Sequence, residues 1–278
     1  MASRRAGTGD CVVDFATMMQ LESHGPDTYV GVGPNYPWGG LYGGQIVAQA
    51  LRAATLTVDP AFRVHSLHAY FIRRGDAEEP IRFEVDRIRN GRSFATRLVV
   101  ARQAIGAILN MSASFQVDEP APDRQAVQAP TVPSPDTLEG TSWTGMFERR
   151  FASRGVEGRA SAWLRINETI GDDPALHACA LAYLSDDLPT DAVVALLAPE
   201  RAGQWGEDFE HNFWSASLDH AIWFHRPARA DLWHLQEFTC HGLISSRGLS
   251  VGHVFDGDGV HLASISQEVL LRSARRDG

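Results

Sequence analysis

Apolar and polar positions along the chain follow two different periods. After the glycine-rich run 39–45, apolar residues recur every three or four positions, which predicts an amphipathic helix beginning in this run. These apolar residues are Ile46, Val47, Ala50, Leu51 and Ala54. Strand-like segments follow near 64–73, 81–89, 93–103 and 106–117. Asn90-Gly91 is a strong hairpin signal, so we expect these strands to pair antiparallel.

The second half of the chain shows the same order of elements. An apolar helix is predicted over 175–186 or slightly beyond, followed by strands near 215–225, 232–243, 247–256 and 260–271. Residues 256–259, Asp-Gly-Asp-Gly, predict a hairpin turn between the last two strands. A helix followed by hairpin-linked strands predicts an antiparallel sheet packed on one helix in each half, which is an α+β layer.

The two halves also resemble each other residue by residue. When residue n is set beside residue n+152, no gap is needed from 68 to 114, and His68-Ala-Tyr-Phe71 falls on His220-Ala-Ile-Trp223. A segment that contains five prolines, 118–141, separates the halves and is predicted to be a linker. We therefore expect two tandem repeats, at 10–117 and 142–272, joined by the linker 118–141.

Composition and charge exclude several classes of function. The 278 residues carry a net charge of −9, which argues against a nucleic-acid partner. All 25 basic residues are arginine, so a P-loop lysine, a lysine Schiff base and a lysine general base are excluded. No apolar run approaches the roughly 20 residues of a spanning helix, and the N-terminal residues lack the apolar stretch that is typical of a signal peptide. Cys11, Cys179 and Cys240 are odd in number and far apart, so we expect reduced thiols and a cytoplasmic protein.

Several familiar motifs are missing or incomplete. There is no Gly-x-Ser-x-Gly nucleophile elbow, and Gly31-Val-Gly33 is not followed by the rest of a dinucleotide-binding motif. His65 and His68 fall on opposite faces of a strand, as do His220 and His225, so neither pair is expected to bind a metal. We interpret these histidines as solvated or at the edge of the core.

Two polar residues interrupt apolar patterns. Gln267 shares a strand face with Ile265, Val269 and Leu271, where the first repeat has Phe115. It lies either where the strand end reaches water or where a polar group faces a pocket, and we favour the pocket because an unpaired buried amide is costly. Asp186 ends an apolar helical stretch; taken alone, it or a neighbour is expected to cap a short helix that begins at Pro189. Ser217, taken alone, is an ordinary strand serine.

Seven segments of the chain resemble the type II acyl-CoA thioesterases, the TesB-like family. The resemblance spans about residues 10 to 272, and its most specific part is the block Leu-Asp-His…Trp-Phe-His-Arg-Pro within 217–227. The segments are 42–51 (YGGQIVAQAL), 65–71 (HSLHAYF), 114–116 (SFQ), 181–186 (LAYLSD), 217–227 (SLDHAIWFHRP), 245–248 (SSRG) and 266–268 (SQE).

This resemblance implies a fold, a reaction and a set of site residues. The fold is a double hot-dog, in which two long helices are each wrapped by antiparallel strands within one continuous sheet. The reaction is hydrolysis of acyl-CoA to a free acid and CoA by a water molecule, without a metal or redox cofactor. The catalytic set maps to Asp186, Ser217 and Gln267, with Ser217 where bacterial members often have threonine. Hot-dog enzymes commonly self-associate, so by analogy we expect a homo-oligomer, at least a dimer.

Asp186 would act as the general base, and backbone N–H groups at a helix N-terminus could form an oxyanion hole. Arginines that could meet the CoA diphosphate are Arg73, Arg74, Arg92 and Arg247.

Two other functions stay open at this point. One is a hot-dog hydratase or dehydratase that uses a histidine with a carboxylate, for which His68 is the nearest candidate. The other is a non-catalytic acyl-CoA-binding protein or assembly subunit. Acyl-CoA binding without release of CoA would favour the binding protein.

Overall fold

The computed structural model describes residues 14–198 and 213–273. Its helices are α1 (Phe15–Met18), α2 (Gly43–Thr55), α3 (Pro174–Leu184) and α4 (Pro189–Leu197). The strands of the first half are β1 (Glu22–Ser23), β2 (Thr28–Gly31), β3 (Phe62–Phe71), β4 (Ile81–Asn90), β5 (Phe94–Gln103) and β6 (Gly106–Val117). Those of the second half are β7 (Phe147–Val156), β8 (Arg159–Ile166), β9 (Phe213–Ser217), β10 (Asp219–Phe224), β11 (His234–Ile244), β12 (Arg247–Asp256) and β13 (His261–Ser273).

Helix α2 confirms the helix predicted after the glycine-rich run. It begins at Gly43 after Tyr42, whose extended backbone makes it the N-cap, and ends at Thr55. Small side chains such as Ala50 and Ala54 are fully buried and let other chain segments approach closely.

Helix α3 is rich in apolar residues on all sides, and its residues from Cys179 to Leu184 are buried, as expected for a core helix. It begins at Pro174, where the carboxylate of Asp173 accepts a hydrogen bond from the Ala175 amide at 2.9 Å. It ends at Leu184, two residues earlier than the predicted limit at 186. Asp186 therefore lies just beyond the helix, after the C-cap Ser185.

A short helix does begin at Pro189, but Asp186 does not cap it. The N-cap of α4 is Leu188, and no side chain forms a cap hydrogen bond there. The capping interpretation of Asp186 was wrong, and its carboxylate has other partners.

The strands match their predicted positions closely, with one interruption. The segment predicted as one strand at 215–225 is divided at Leu218 into β9 and β10. The Leu218 amide donates to the Glu268 carbonyl at 2.8 Å, and the Leu218 carbonyl accepts from the Phe71 amide at 3.0 Å. Strand β9 pairs only with β13, whereas β10 pairs with both β13 and β3.

Four strands, β1, β2, β7 and β8, were not predicted. In β7 the inward position that follows Phe147 is Arg149, which is buried although it is charged. A buried arginine breaks the apolar alternation on which strand prediction depends.

All described strands except β9 follow one another in a single antiparallel sheet. The order is β1-β2-β4-β5-β6-β3-β10-β13-β12-β11-β8-β7, with β9 paired to β13 beside this path. The strand order is symmetric about the central pair β3–β10. Outward from this pair, β6, β5, β4 and β2 on one side correspond to β13, β12, β11 and β8 on the other. In the central pair, Ala221 lies opposite His68 and Asp219 opposite Tyr70. Helices α2 and α3 pack against each other and the inner sheet face.

The proline-rich segment 118–141 lies along the surface and is bonded to the second half. The Gln125 amide donates to the Gly259 carbonyl at 2.9 Å and accepts from the His261 amide at 2.8 Å. Further along, the Trp163 indole donates to the Pro133 carbonyl at 2.9 Å. The segment is thus a bonded strap that crosses β8 and the β12–β13 turn.

Candidate active site

Three polar side chains from separate parts of the second half meet inside the protein. The Gln267 amide nitrogen donates to Oδ1 of Asp186 at 2.8 Å and to Oγ of Ser217 at 2.7 Å. The Ser217 hydroxyl donates to the same Asp186 oxygen at 3.2 Å. The structure therefore places Asp186, Ser217 and Gln267 in mutual contact, and we call them the Asp–Ser–Gln cluster.

The Asp186 carboxylate lies against the N-terminus of α2. A β-carbon added to Gly43 would lie 2.5 Å from Oδ2 of Asp186, so only glycine permits this approach. The Gly44 amide hydrogen-bonds the carboxylate, and the positive end of the helix dipole faces it. The first half of the chain thus supplies a wall of a site whose polar side chains belong to the second half.

Burial dominates the electrostatics of Asp186. The residue is 9% exposed, and desolvation raises the pKa of its carboxyl from 3.8 to about 6, against the hydrogen bonds from Gln267, Ser217 and Gly44, which lower it. A carboxylate with this pKa is ionised at pH 7 and is a stronger base than an exposed aspartate. It suits proton transfer near neutral pH.

Gln267 lies in the middle of β13 and is 0% exposed. The alternative in which the strand end has reached water is therefore excluded. Its face-sharing neighbours Ile265, Val269 and Leu271 are buried as well. The amide satisfies its hydrogen-bonding groups inside the protein.

Behind Gln267 lies a second polar layer that sequence reasoning missed. The Nδ1 atom of His220 contacts the Gln267 carbonyl oxygen, and its Nε2 atom lies 2.8 Å from Oγ of Ser185. Burial lowers the pKa of His220 from 6.5 to about 4, so its ring is neutral at pH 7. The interpretation of His220 as solvated or at the core edge was wrong. A signal was present, because alternation in β10 places His220 on the same face as the apolar Ile222 and Phe224.

Ser217 is the last residue of β9 and is partly exposed. The interruption at Leu218 follows directly, so the hydroxyl lies where the strand path turns. Because Asp186 and Gln267 are buried, Ser217 is the member of the cluster nearest to solvent.

The neighbouring carboxylate, Asp187, faces a different environment. The Arg149 guanidinium donates to both of its oxygens at 2.9 Å, and the Trp143 indole donates at 2.7 Å. This ion pair is buried, so Asp187 is held by its own cation beside Asp186.

An aromatic cluster lines the start of α2 next to these carboxylates. Tyr42 lies 5.1 Å from both Trp143 and Tyr183 between ring centroids, and its hydroxyl donates to the Tyr183 carbonyl at 2.9 Å. Tyr36 and Trp38 stack at 5.2 Å on the outer side. Tyr42 links α2 of the first half to α3 of the second.

His68, the histidine considered for a hydratase, lies on the other face of the sheet. It contacts Asp219 at 3.0 Å, and both side chains reach solvent on the face opposite Gln267 and His220. The pair is a histidine and a carboxylate, but the described structure places neither in contact with the Asp–Ser–Gln cluster.

Three of the four arginines considered for the CoA diphosphate have protein partners. Arg73 donates to the Ala107 carbonyl at 2.7 Å, and Arg74 donates to the Trp38 carbonyl at 2.6 Å, close to the start of α2. Arg247 pairs with Glu268 at 2.9 Å.

The described residues show neither a metal cluster nor a disulfide. Among residues 14–198 and 213–273, no three His, Cys, Asp or Glu side chains are grouped so that they could hold a metal ion. Cys179 and Cys240 are buried free thiols, and Cys11 lies outside the described residues.

Comparison with known proteins gives the family. The profile of the acyl-CoA thioesterase N-terminal domain matches residues 33–116, and that of the C-terminal domain matches residues 122–271. The chain is 35% identical over 269 residues to acyl-coenzyme A thioesterase 8 of Rattus norvegicus, covering 85% of this chain and 81% of the rat protein. The chain belongs to the acyl-CoA thioesterase family.

Solved structures of similar proteins agree with this family and give the fold. The thioesterase II TesB2 of Mycobacterium marinum superposes with a TM-score of 0.81 at 34% identity, covering 95% of this chain and 99% of that one. A protein of Alicyclobacillus acidocaldarius described as having a hot dog fold superposes with a TM-score of 0.77 at 19% identity, covering 94% and 98% of the two chains. This thioesterase family member therefore has a hot-dog fold, built on an antiparallel sheet with few helices. No helix among its described residues is long and apolar enough to cross a membrane.

Proposed function

We propose that this protein hydrolyses acyl-CoA thioesters to a free carboxylic acid and CoA, with a water molecule directed by Asp186, Ser217 and Gln267. The observation that carries the proposal is the contact of these three polar side chains at the start of α2. A buried carboxylate of raised pKa with two hydrogen-bonding partners is an arrangement typical of a catalytic base.

The proposed reaction needs no covalent intermediate. Asp186 takes a proton from water as the water oxygen attacks the thioester carbonyl carbon. The carbon–sulfur bond then breaks, and the proton held by Asp186 neutralises the departing thiolate of CoA. Gln267 and Ser217 hold the carboxylate in place, and the Ser217 hydroxyl, which is nearest to solvent, can also hold the water.

The start of α2 supports the same step electrostatically. The carbonyl oxygen gains negative charge as the water attacks, and a helix N-terminus offers N–H groups and the positive end of its dipole to such an anion. The missing side chains of Gly43 and Gly44 let the Asp186 carboxylate and the Tyr183 carbonyl approach this end closely.

We further propose that the fold is a double hot-dog built of two tandem repeats, 10–117 and 142–272, of which residues 10–13 and 199–212 lie outside the described residues. The matching strand orders on the two sides of the β3–β10 pair support this. The 152-residue offset sets Phe115 against Gln267 and His65 against Ser217. Only the second repeat then carries the catalytic set.

Acyl-CoA as the bound partner, a homo-oligomeric state and a cytoplasmic location remain part of the proposal. The first follows from the proposed reaction. The second rests on the tendency of hot-dog proteins to associate. The third is supported by the buried free thiols of Cys179 and Cys240.

The test is release of CoA thiol from acyl-CoAs of several chain lengths, with enoyl-CoA hydration and acyl-CoA binding measured in parallel. The proposal expects thiol release by the natural protein and by Asp136→Asn, a control carboxylate exposed on the strap. Hydration without thiol release would favour a hydratase. Binding without either reaction would favour an acyl-CoA-binding protein.

A further inference from the structure

We infer that His220, held by Ser185, is a positioning residue that sets the orientation of the Gln267 amide and through it the Asp–Ser–Gln cluster. This inference rests on the proposed function. The observation behind it is a chain of contacts that runs from Ser185 through both ring nitrogens of His220 to Gln267.

The whole chain of contacts lies out of reach of solvent. Ser185, His220 and Gln267 are each 0% exposed. Each polar atom in the chain of contacts must therefore be satisfied by protein partners, because an unpaired buried polar group is strongly destabilising. This requirement limits the possible arrangements of hydrogens.

The donors and acceptors leave one consistent arrangement. An ionised Asp186 can only accept, so Gln267 must turn its NH₂ group toward Asp186 and Ser217. The Gln267 carbonyl oxygen then faces Nδ1 of His220, which must donate. A neutral imidazole that donates from Nδ1 accepts at Nε2, so the Ser185 hydroxyl donates to it over 2.8 Å.

The opposite arrangement brings two acceptors together. The Ser185 hydroxyl also lies 3.0 Å from the Ala182 carbonyl and could donate there, accepting a hydrogen from Nε2 of His220. Nδ1 would then have no hydrogen and would face the Gln267 oxygen. Rotating the Gln267 amide to relieve this contact would turn its oxygen toward the Asp186 carboxylate.

The titratable groups around the chain of contacts have separate roles. His220 stays neutral at pH 5–8 because burial holds its pKa near 4. Its sequence neighbour Asp219 and the nearby His68 lie on the outer sheet face. On the inner face, Asp186 lies beside Asp187, which is paired with Arg149, and Asp191 on α4 is a further buried carboxylate that acts on Arg149. Asp186 is therefore the group whose titration the orientation of Gln267 controls.

Loss of the His220 donor has a specific consequence. Gln267 becomes free to turn its oxygen toward Asp186, which removes a hydrogen bond that stabilises the carboxylate and places a dipole of the wrong sign beside it. The pKa of Asp186 then rises, and the water is held less well. Turnover should fall more than substrate binding, because His220 is 0% exposed and lies behind Gln267.

The activity test compares three histidine variants. In His220→Leu, we expect kcat to fall about tenfold or more with KM changed much less, and the acid limb of the kcat profile to move to higher pH. His220→Asn keeps an N–H donor close to the position of Nδ1 and should restore most of kcat and the original pH limb. His234→Leu is the matched control, since His234 is equally buried, on β11, and its loss should leave the pH limb unchanged.

The inference would be overturned if His220→Leu and the natural protein had equal kcat and if kcat of both fell at the same pH on the acid side. Equal losses in His220→Leu and His220→Asn would also overturn it, because they would indicate a packing role alone. If the natural protein releases no CoA, the proposed function fails. The positioning role of His220 is then tested separately by the protonation state of its ring.

That separate test is the ¹⁵N NMR spectrum of the His220 imidazole in the natural protein. We expect a neutral ring protonated at Nδ1 from pH 5 to 8. A ring protonated at Nε2, or one that titrates in this range, would contradict the arrangement whether or not the protein is active.

Discussion

At the scale of single residues, the candidate site depends on a buried carboxylate, Asp186, that is held by hydrogen bonds and is not held by an ion pair in the described structure. Within 14–198 and 213–273, Asp186 has hydrogen-bond donors around it but no paired arginine, whereas its neighbour Asp187 has Arg149. The cost of burial appears as the raised pKa of Asp186. The fold therefore gives up stability at neutral pH to hold an ionised carboxylate in the interior.

This cost predicts a pH-dependent difference in stability between the natural protein and Asp186→Asn. The folded-state pKa of about 6 lies above the unfolded value of 3.8, so the folded state binds this proton more tightly between the two values. The free energy of unfolding of the natural protein should fall, relative to the variant, by about 2 kcal/mol as pH rises from 4 to 7.

Urea unfolding of both proteins at several pH values measures this difference. Subtracting the free energy of unfolding of the variant from that of the natural protein cancels the contributions of the other carboxylates. A difference that does not change with pH would contradict the raised pKa.

Gln267 and His220 show how much of the candidate site could be predicted from the sequence. The alternation in β13 predicted that Gln267 faces the interior, and the family resemblance predicted its partners. The role of His220 in orienting Gln267 was not predictable, because it depends on the contact between two strands, β10 and β13, that are separated in the sequence.

At the scale of elements, the start of α2 is the part of the first half that shapes the site. The glycine-rich run predicted a helix start, and the structure adds that Gly43 is required by the Asp186 carboxylate lying against it. Helical periodicity reports which face is apolar, and it carries no information on which distant side chain lies at the helix end.

Gly43→Ala should therefore lower kcat strongly, by about tenfold or more, because its methyl group would displace the carboxylate. Gly145→Ala is the control, since a β-carbon at Gly145 meets no atom within 4 Å. Steady-state kinetics of both variants, with circular dichroism as a check on folding, measures the effect. Equal kcat in the two variants would show that Asp186 does not depend on this close approach.

The element β7 supplies the cation for Asp187. Arg149→Met should destabilise the protein by about 3–5 kcal/mol, because it leaves a buried carboxylate without its partner. Arg102→Met removes an exposed pair with Glu84 and should cost at most about 1 kcal/mol. Denaturant unfolding of both variants measures these losses of stability, and similar losses in the two variants would contradict the importance of burial.

Strand β7 was missed in the sequence because this same arginine, Arg149, interrupts its apolar pattern.

At the scale of the whole molecule, neither half contains a complete site. Asp186, Ser217 and Gln267 belong to the second half, while the Gly44 amide and the close approach at Gly43 belong to the first. The 152-residue offset predicted two similar halves. Which strands join them was not predictable from local pattern, because β3 and β10 resemble the other strands in composition.

A chain divided before the strap should consequently lose activity and regain it when the halves recombine. Fragments 1–117 and 118–278, purified separately, are expected to release no CoA, because the Tyr42–Tyr183 contact and the start of α2 are missing from the second fragment. Co-expression should restore thiol release. Full activity of fragment 118–278 alone would show that the first half does not contribute to the site.

The assignment of Asp186 as the base is tested most directly by the pH dependence of CoA release by the natural protein and by Asp186→Asn. We expect kcat of the natural protein to fall about tenfold per pH unit below about pH 6, the pKa of Asp186, and to be flat above it. We expect the folded variant to be slower by orders of magnitude and to lack this acid limb. A variant that retains activity, or one that keeps the same limb, would contradict the assignment of Asp186 as the base.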